Sequence, residues 1–209
     1  MYDFIDRELA SFSEISYKIL EIGSWAGSSA VLWASACKKR NKGIVFCMDT
    51  WQGTNNPPQD TKQAIRNDRI FNLFLHNIEA SGFKDYIVLL KGSSDMMAEI
   101  LKPESFDFVY IDGDHAYVQF KKDLLNYSKM VKVNGILCGD DFELDWDEVD
   151  VLCAKAHCDE DFILDPKTKI SFHPGISLGI KEFFGKVSVK NGFWAMRKTK
   201  DSWITVNLD

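Results

Sequence analysis

The stretch Lys18-Ile-Leu-Glu-Ile-Gly-Ser-Trp-Ala-Gly27 decides the fold of this chain. Its first five residues form a short apolar run that predicts a buried strand, and the glycines at 23 and 27 predict a tight turn into a helix. The free N–H groups at the start of such a helix can bind a ligand. By itself the turn is a weak signal, because a purely structural connection has the same composition.

Further apolar runs repeat this pattern along the chain, at Ile44–Met48, Tyr86–Leu90, Phe106–Ile111 and Gly135–Cys138. Helix-compatible segments lie between the runs, at 28–41, 64–81, 94–102, 117–131 and 146–158. This alternation predicts an α/β fold, a doubly wound, Rossmann-like and mostly parallel sheet with helices on both faces. The tail has a short helical segment at 176–184 and two runs of alternating polarity at 185–190 and 193–197, which predict an antiparallel C-terminal edge hairpin.

Length and composition favour one globular domain, residues 1–209, since no repeat or linker marks a boundary. The 31 acidic residues outnumber the 25 basic residues, which argues against nucleic acid or an anionic membrane as a partner. Acidic residues near the start and the lack of an apolar run of about 18 residues predict a cytoplasmic protein. The five cysteines contain no CxxC pair, so we expect reduced thiols.

Acidic residues stand at the carboxyl ends of the first two predicted strands, Glu21 just before the turn and Asp49 directly after the second run. Glu21 stands where it would repel a diphosphate, and the glycine spacing lacks the third glycine of a dinucleotide site. A ligand that carries positive charge or a ribose therefore fits better. A carboxylate such as Asp49 can accept both hydroxyls of a ribose, although a helix cap or a solvated loop acid explains it equally well.

The fourth and fifth predicted strands end in Ile111-Asp-Gly-Asp-His115 and Cys138-Gly-Asp-Asp141. If these strands are neighbours, their carboxylates and the imidazole converge, and a hard divalent cation held by Asp112, Asp140 and Asp141 would neutralise the repulsion. The alternative is structural, because Asp140 and Asp141 face opposite ways in a regular strand.

His115 lies beside the predicted cation and has the side chain best suited to take a proton from a substrate hydroxyl near neutral pH. We interpret His76 and His157 as structural or surface groups without an acidic partner nearby. His173 could line a substrate pocket. Cys153, His157 and Cys158 are of zinc-ligand types, but their spacing matches no tetrahedral set.

These motifs together resemble the class I S-adenosylmethionine-dependent methyltransferases. Within that class the chain is most similar to the metal-dependent O-methyltransferases of small molecules, of the catechol and macrolide-sugar types, over about residues 15 to 198. Glu21–Gly27 resembles the motif that wraps the methionine part of the cofactor, Asp49 the ribose-binding acid, and Lys91–Asp95 the loop that borders the adenine. The resemblance also implies a seven-stranded sheet whose last strand is antiparallel.

The resemblance implies roles for individual residues. Asp112, Asp140 and Asp141 fall on metal-ligand positions, for Mg²⁺ or another divalent cation, and His115 on the catalytic base position, with Asp112 beside it. The implied binding residues for S-adenosylmethionine are Glu21, Gly23, Ser24, Trp25, Gly27, Ser28, Ser29, Asp49, Thr50, Trp51, Ser93, Ser94 and Asp112. The implied acceptor is a hydroxyl of a small molecule, such as a sugar or related alcohol.

Several alternatives stay open at this point. A metal-independent methyltransferase, a nicotinamide-dependent oxidoreductase and a non-catalytic scaffold share much of the pattern. The segment 51–70 is a candidate substrate lid, and its Pro57-Pro58 pair breaks regular structure. Aromatic residues among Trp51, Phe71, Phe74 and Trp194 could form the face of a homo-oligomer, but the core is the default interpretation.

Overall fold

The computed structural model describes residues 2–11, 16–53 and 59–209. The chain forms two compact units, Met1–Ile100 and Leu101–Asp209. The predicted α/β class is confirmed, with mostly parallel, Rossmann-like strand pairing and an antiparallel C-terminal edge. The single domain stays a prediction.

The first unit alternates strands and helices as the sequence predicts. Its helices and strands are α1 (Tyr2–Ser11), β1 (Lys18–Ile22), α2 (Ser28–Lys39), β2 (Ile44–Asp49), α3 (Gln59–Ile65), α4 (Arg69–Ser81), β3 (Ile87–Lys91) and α5 (Ser94–Ile100), with 3-10 turns at Arg66–Asp68 and Lys84–Tyr86. Strand β2 pairs in parallel with both β1 and β3. Parallel pairing brings the carboxyl ends of β1 and β2 to the same edge, where their acidic residues lie.

Apolar side chains of β1, α2 and α4 form the core of the first unit. Ile19, Leu20, Trp33 and Phe74 are fully buried. Helix α4 is amphipathic and turns Phe74 and Ile78 inward while Leu73 and Leu75 stay exposed. The helix therefore packs through one apolar face, which is the interaction that stabilises most short helices.

The second unit is built around long central strands. Its elements are β4 (Phe106–Ile111), α6 (Tyr117–Tyr127), β5 (Val131–Phe142), α7 (Val151–Ala156), β6 (Ile163–Leu164), β7 (Ser171–Phe172), α8 (Pro174–Phe183), β8 (Ser188–Lys190), β9 (Gly192–Lys198) and β10 (Trp203–Thr205). Strand β4 is buried along its whole length and pairs in parallel with β5. Strand β9 pairs antiparallel with β5, β8 and β10, so the C-terminal edge has one strand more than the predicted hairpin.

The end of β5 is irregular where the sequence places two consecutive aspartates. The register of β5 against β9 shifts between Gly139 and Phe142, and Asp141 has a left-handed φ of 63°. Such a φ is uncommon for a residue other than glycine and takes the chain out of the regular pleat. The backbone at Asp141 is therefore not that of a regular strand, so strand alternation alone does not fix the directions of the two aspartates.

The predicted helix at 146–158 is shorter in the structure. Trp146 and Val149 enter the core from irregular backbone, and α7 begins only after Asp150, whose carboxylate accepts the N–H groups of Leu152 and Cys153. An aspartate in this capping position is a strong helix start signal, and it outweighs the apolar pattern before it. Of the candidate lid, residues 54–58 with Pro57-Pro58 lie outside the described residues.

The cysteines are free thiols, as the composition predicts. Cys37, Cys47 and Cys138 are buried free thiols, and Cys153 and Cys158 are free and partly buried. Within the described ranges, the helices are too short and too polar to span a bilayer.

Candidate active site

The turn after β1 is held by backbone hydrogen bonds. The N–H of Gly23 donates to the carbonyl of Met48 at 2.8 Å, and the N–H of Gly27 donates to the carbonyl of Ser24 at 2.7 Å. Gly27 has a φ of 86° and precedes α2 as its cap residue, a conformation that glycine adopts without strain. Asn77 fixes the turn from α4, because its amide donates to the carbonyl of Ala26 at 2.9 Å.

Glu21 lies beneath this turn as a fully buried carboxyl group. Burial raises its pKa to about 7, against the opposing effect of the nearby Ser24, Ser29 and Cys47 side chains. Neither carboxyl oxygen of Glu21, nor the hydroxyl of Ser24, has a hydrogen-bond partner among the described residues. Buried polar groups of this kind are costly unless something pairs with them, which makes Glu21 a candidate binding group.

Asp49 ends β2 and holds two tryptophan backbones in place. Its Oδ2 accepts the N–H of Trp25 at 2.8 Å, and its Oδ1 accepts the N–H of Trp51 at 2.6 Å. Burial raises the pKa of Asp49, although these two N–H groups act in the opposite direction. The carboxylate therefore sits at the edge where the sequence places it, and its present partners are backbone amides.

The aromatic residues of the candidate dimer face are mainly core residues. Trp51, Phe74 and Trp194 are fully buried, which confirms the core interpretation for them, and Phe71 is partly buried. The Trp51 ring packs 4.8 Å from Phe71 and 5.0 Å from Phe74. Its Nε1 donates to the carbonyl of Trp25 at 2.8 Å, so Trp51 is a rigid support of the turn.

The remaining predicted cofactor residues of the first unit surround the same strand ends. Ser28 and Ser29 begin α2, and the hydroxyl of Thr50 accepts the N–H of Gln52 at 3.1 Å. Ser93 precedes α5 and caps it by accepting the N–H of Met96 at 3.2 Å, and Ser94 is the first residue of that helix. The carbonyl of Asp49 accepts the N–H of Gly92 at 3.0 Å, which ties the Ser93 loop to the end of β2.

In the second unit, the three predicted metal ligands have different partners. Oδ2 of Asp112 accepts the hydroxyl of Tyr110 at 3.2 Å. Oδ1 of Asp140 accepts the N–H of Asp141 at 3.1 Å, and burial raises the pKa of Asp140. Asp141 instead faces His115, with 3.1 Å between its Oδ2 and Nε2.

His115 lies between two carboxylates. Its Nδ1 is 2.7 Å from Oδ1 of Asp161, on the opposite side of the ring from Asp141. Burial alone would lower the pKa of His115, but the two carboxylates outweigh it and raise the pKa to about 10. Burial would raise the pKa of Asp141, yet His115 and His173 hold it below its usual value. At neutral pH the ion-free imidazole is therefore charged, contrary to the near-neutral pKa that we expected.

A second histidine completes the cluster. His173 precedes α8, and its ring lies 4.5 Å from that of His115, centroid to centroid. Its Nδ1 is 2.9 Å from Oε1 of Glu143 and 4.0 Å from Oδ1 of Asp141. His115, Asp141 and His173 each offer a donor atom within 4.8 Å of the other two. Among the His, Cys, Asp and Glu residues that the structure describes, these three form the group at metal-ligand spacing. Asp112 and Asp140 do not belong to that group.

Sequence reasoning missed two members of this cluster and misjudged one histidine outside it. Asp161 carries no local signal, because it is 46 residues from His115 and follows a polar segment. Glu143 stands beside Asp141 in the sequence but was assigned no role. His157 is not a mid-helix residue without a partner. It ends α7, and its Nδ1 contacts Glu160 at 2.6 Å.

The chain matches a family model described as a methyltransferase domain over residues 20–142. The chain belongs to the methyltransferase-domain family. The match runs from β1 to the end of β5 and so includes both acidic strand ends of the first unit and the His115 and Asp141 segments of the second. This membership confirms the resemblance to the class I methyltransferases.

Solved structures of similar fold carry methyltransferase names. The O-methyltransferase NovP is 14% identical, with a TM-score of 0.61 over 95% of this chain and 79% of that one. A putative caffeoyl-CoA O-methyltransferase from Staphylococcus aureus is 16% identical, with a TM-score of 0.60 over 94% and 82%. An O-methyltransferase from Bacillus cereus in complex with SAH is 16% identical, with a TM-score of 0.57 over 95% and 80%. At these identities the likeness establishes the shared fold of this methyltransferase.

Proposed function

We propose that this methyltransferase transfers the methyl group of S-adenosylmethionine to a hydroxyl group of a small molecule. The observation that carries the proposal is Glu21, a fully buried carboxyl group whose oxygens have no hydrogen-bond partner among the described residues. A cationic ligand group would pair with this carboxylate and stabilise its ionised form. The ammonium and sulfonium groups of S-adenosylmethionine supply such charge, whereas a diphosphate would be repelled.

The residues around Glu21 support the same ligand. The hydroxyl of Ser24 is buried and has no partner in the described ranges, so it can donate to the ligand. Asp49 offers acceptor oxygens for the ribose hydroxyls, and the Ser93–Ser94 loop lies next to it in the first unit. We assign the cofactor to the first-unit residues of the set predicted from the sequence, and Asp112 stays a prediction from the resemblance. The names of the relatives, O-methyltransferases and a complex with SAH, agree with this assignment.

The acceptor hydroxyl and a divalent cation form the second part of the proposal. A bound cation lowers the pKa of a hydroxyl that it contacts and so favours the nucleophilic alkoxide. Asp141 belongs both to the aspartates predicted from the sequence and to the group that it forms with His115 and His173. We therefore place the cation beside Asp141. Among acceptors, a sugar or a related alcohol is the class we propose to screen first.

The role of His115 depends on that cation. In the ion-free chain the ring is held as an imidazolium by Asp141 and Asp161 and cannot accept a proton at neutral pH. A cation at Asp141 would offset one of these two carboxylates and lower the pKa of His115. The predicted role of His115 as general base therefore holds only while Nε2 is not itself a ligand of the cation, and the two roles of that nitrogen exclude each other.

Calorimetric titration with S-adenosylhomocysteine tests the proposal directly. We expect one-to-one binding, with adenosine binding far more weakly because it lacks the charged amino-acid portion that Glu21 would recognise. NADH serves as the control for a nicotinamide-dependent enzyme and should not bind. Absence of S-adenosylhomocysteine binding would refute the proposed cofactor, and binding without turnover on any hydroxyl would refute the proposed acceptor class. Full turnover in EDTA would establish a metal-independent methyltransferase.

A further inference from the structure

We infer that His115, Asp141 and His173 form a binding site for a divalent transition-metal ion such as Zn²⁺ or Co²⁺, in preference to Mg²⁺. The inference concerns metal binding by the second unit and goes beyond the proposed methyl transfer. It differs from the aspartate set predicted from the sequence, with which it shares only Asp141. The site is built from three separate segments of the chain, which the fold brings together.

The spacing of the donor atoms suits one small ion. One donor atom from each residue lies within 4.8 Å of the other two. Nε2 of His115 is 3.1 Å from Oδ2 of Asp141, and Nδ1 of His173 is 4.0 Å from the other carboxylate oxygen, Oδ1. Zn²⁺ binds nitrogen and oxygen at about 2.0 to 2.2 Å, which places tetrahedral ligand atoms roughly 3.4 Å apart. The donor atoms are therefore close to ligand spacing, and side-chain rotations that bring both imidazoles toward one oxygen of Asp141 would complete it.

The atom of His115 that would bind the ion is already presented to it. Nε2 is buried and faces Oδ2 of Asp141 at 3.1 Å, so the proposed ligand nitrogen and the proposed ligand carboxylate already meet. The other ring nitrogen is occupied by Asp161 at 2.7 Å. A carboxylate on the far nitrogen is the usual support of a metal-bound imidazole, because it fixes the tautomer and raises the basicity of the ligand.

Charge and ligand type select the class of ion. Asp141, Asp161 and Glu143 surround two imidazoles, so the cluster is net negative once the imidazoles are neutral and it favours a cation. Imidazole nitrogen is a preferred ligand of Zn²⁺, Co²⁺ and Ni²⁺, whereas Mg²⁺ prefers oxygen ligands. Two imidazoles and one carboxylate also leave coordination positions open for water or for a substrate hydroxyl.

The fold holds the two histidine segments close together. Gly175, in the first turn of α8, packs against the carbonyl of His115 so closely that a Cβ atom would collide with the backbone there. The N–H of Tyr117 donates to the carbonyl of Cys158 at 2.9 Å, which anchors the segment that carries Asp161 beside the loop of His115. Backbone packing therefore holds together the chain segments that carry His115, His173 and Asp161.

Calorimetric titration of metal-free protein tests the inference without reference to activity. The protein, freed of any histidine tag and dialysed against chelator, is titrated separately with ZnCl₂, CoCl₂ and MgCl₂, and Co²⁺ binding is also followed by visible absorption. We expect one ion per chain and an affinity for Zn²⁺ or Co²⁺ at least about 100-fold above that for Mg²⁺. Weaker binding of the transition metals than of Mg²⁺, or no binding, would overturn the inference.

Two variants separate the competing ligand sets, and a third is the matched control. His173→Ala removes a ligand of the inferred site only and should weaken Zn²⁺ binding at least about 10-fold. Asp112→Asn removes a member of the aspartate set only and should leave Zn²⁺ affinity within about twofold of the parent. His157→Ala removes a histidine that pairs with Glu160 outside the cluster and should change nothing. If Asp112→Asn lowered the affinity for Zn²⁺ and His173→Ala left it unchanged, the ion would be assigned to the aspartates.

The His173→Ala variant should remain folded, so that weaker Zn²⁺ binding can be attributed to the lost ligand. His173 precedes α8 but makes no side-chain capping hydrogen bond to it, so the alanine variant should keep the helix. Asp141→Asn, which keeps the shape of the side chain, provides a second variant that should lose Zn²⁺ binding. Far-UV circular dichroism of both variants must match the parent, and binding of S-adenosylhomocysteine reports separately on the proposed cofactor site.

Discussion

Nδ1 of His115 and Oδ1 of Asp161 lie 2.7 Å apart although 46 residues separate them in the chain. This contact orients the imidazole so that Nε2 faces Asp141 at 3.1 Å. The segment that carries Asp161 is tied to α6, because Asp159 accepts the N–H of Val118 at 3.2 Å. The pair therefore connects the loop after β4 to the segment after α7, and it sets the direction in which His115 acts.

Replacement of Asp161 by asparagine should weaken metal binding while the protein stays folded. Loss of a carboxylate behind a metal-bound imidazole typically reduces affinity about 10- to 100-fold, and we expect that range for Zn²⁺ here. The matched control is Glu160→Gln, which removes the adjacent acid that pairs with His157. Equal effects of the two substitutions in the calorimetric titration would show that Asp161 contributes only general negative charge.

Replacement of His115 by alanine should lower the turnover number by about 100-fold or more, as expected for loss of a general base or of a ligand that holds the reacting hydroxyl. Affinity for S-adenosylhomocysteine should be nearly unchanged, because Glu21 and Asp49 carry that recognition. Steady-state kinetics measure the first quantity and calorimetry the second. An unchanged turnover number would remove His115 from the chemistry, whereas lost Zn²⁺ binding in the same variant would identify it as a ligand.

The sequence predicted the strand ends well because their signals are local. A buried β-branched run followed by glycine or aspartate identifies Glu21, Asp49, Asp112 and Asp141 without knowledge of tertiary contacts. The same local reasoning placed a helix at 146–158, where Trp146 and Val149 instead serve the core and the Asp150 cap delays α7. Apolar spacing does not reveal such a cap when an equally apolar segment precedes it.

The composition of the cluster around His115 was beyond sequence reasoning. His173 and Asp161 meet His115 only through the packing of α8 and of the segment after α7, and neither residue has a motif of its own. The pKa of His115 depends on both carboxylates and was therefore expected near neutrality when only the loop sequence was considered. Long-range charge pairs of this kind are created by tertiary packing and leave no local signal in the sequence.

Replacement of Glu21 by glutamine should remove a pH dependence of cofactor binding. The pKa of Glu21 is about 7 in the ligand-free chain, and a cationic ligand favours the ionised form. Affinity of the parent for S-adenosylhomocysteine should therefore rise about tenfold between about pH 6 and pH 8, with release of a proton on binding at the lower pH. Calorimetry in buffers of different ionisation enthalpy measures that proton. A parent protein whose affinity is flat across this range would exclude Glu21 from contact with the ligand's charge.

The same substitution should change stability in a pH-dependent direction. A carboxyl group whose folded pKa is raised stabilises the fold below its unfolded pKa and loses that contribution as pH rises through the folded value, here about 7. The quantity to compare is the free energy of unfolding of Glu21→Gln minus that of the parent. This difference should be higher at about pH 8 than at about pH 4.5, by at most roughly 3 kcal/mol. Urea unfolding of both proteins at the two pH values gives the difference. A gain that is larger at the acid pH would contradict the raised pKa.

Replacement of Gly27 by alanine should destabilise the first unit and weaken cofactor binding together. Gly27 has a φ of 86°, and an added Cβ would lie 3.0 Å from Phe74 and 3.3 Å from Ile78. The left-handed conformation alone costs about 1 to 2 kcal/mol for alanine. Gly82→Ala is the matched control, since Gly82 has a φ of 69° but open space where its Cβ would point. In urea unfolding, we expect both variants to lose the free energy that the left-handed conformation costs an alanine. Gly27→Ala should lose more, and it alone should weaken binding of S-adenosylhomocysteine, because its turn carries Ser24 and covers Glu21. Equal losses in the two variants, with cofactor binding intact in both, would show that the contact of the turn with Phe74 does not shape the site.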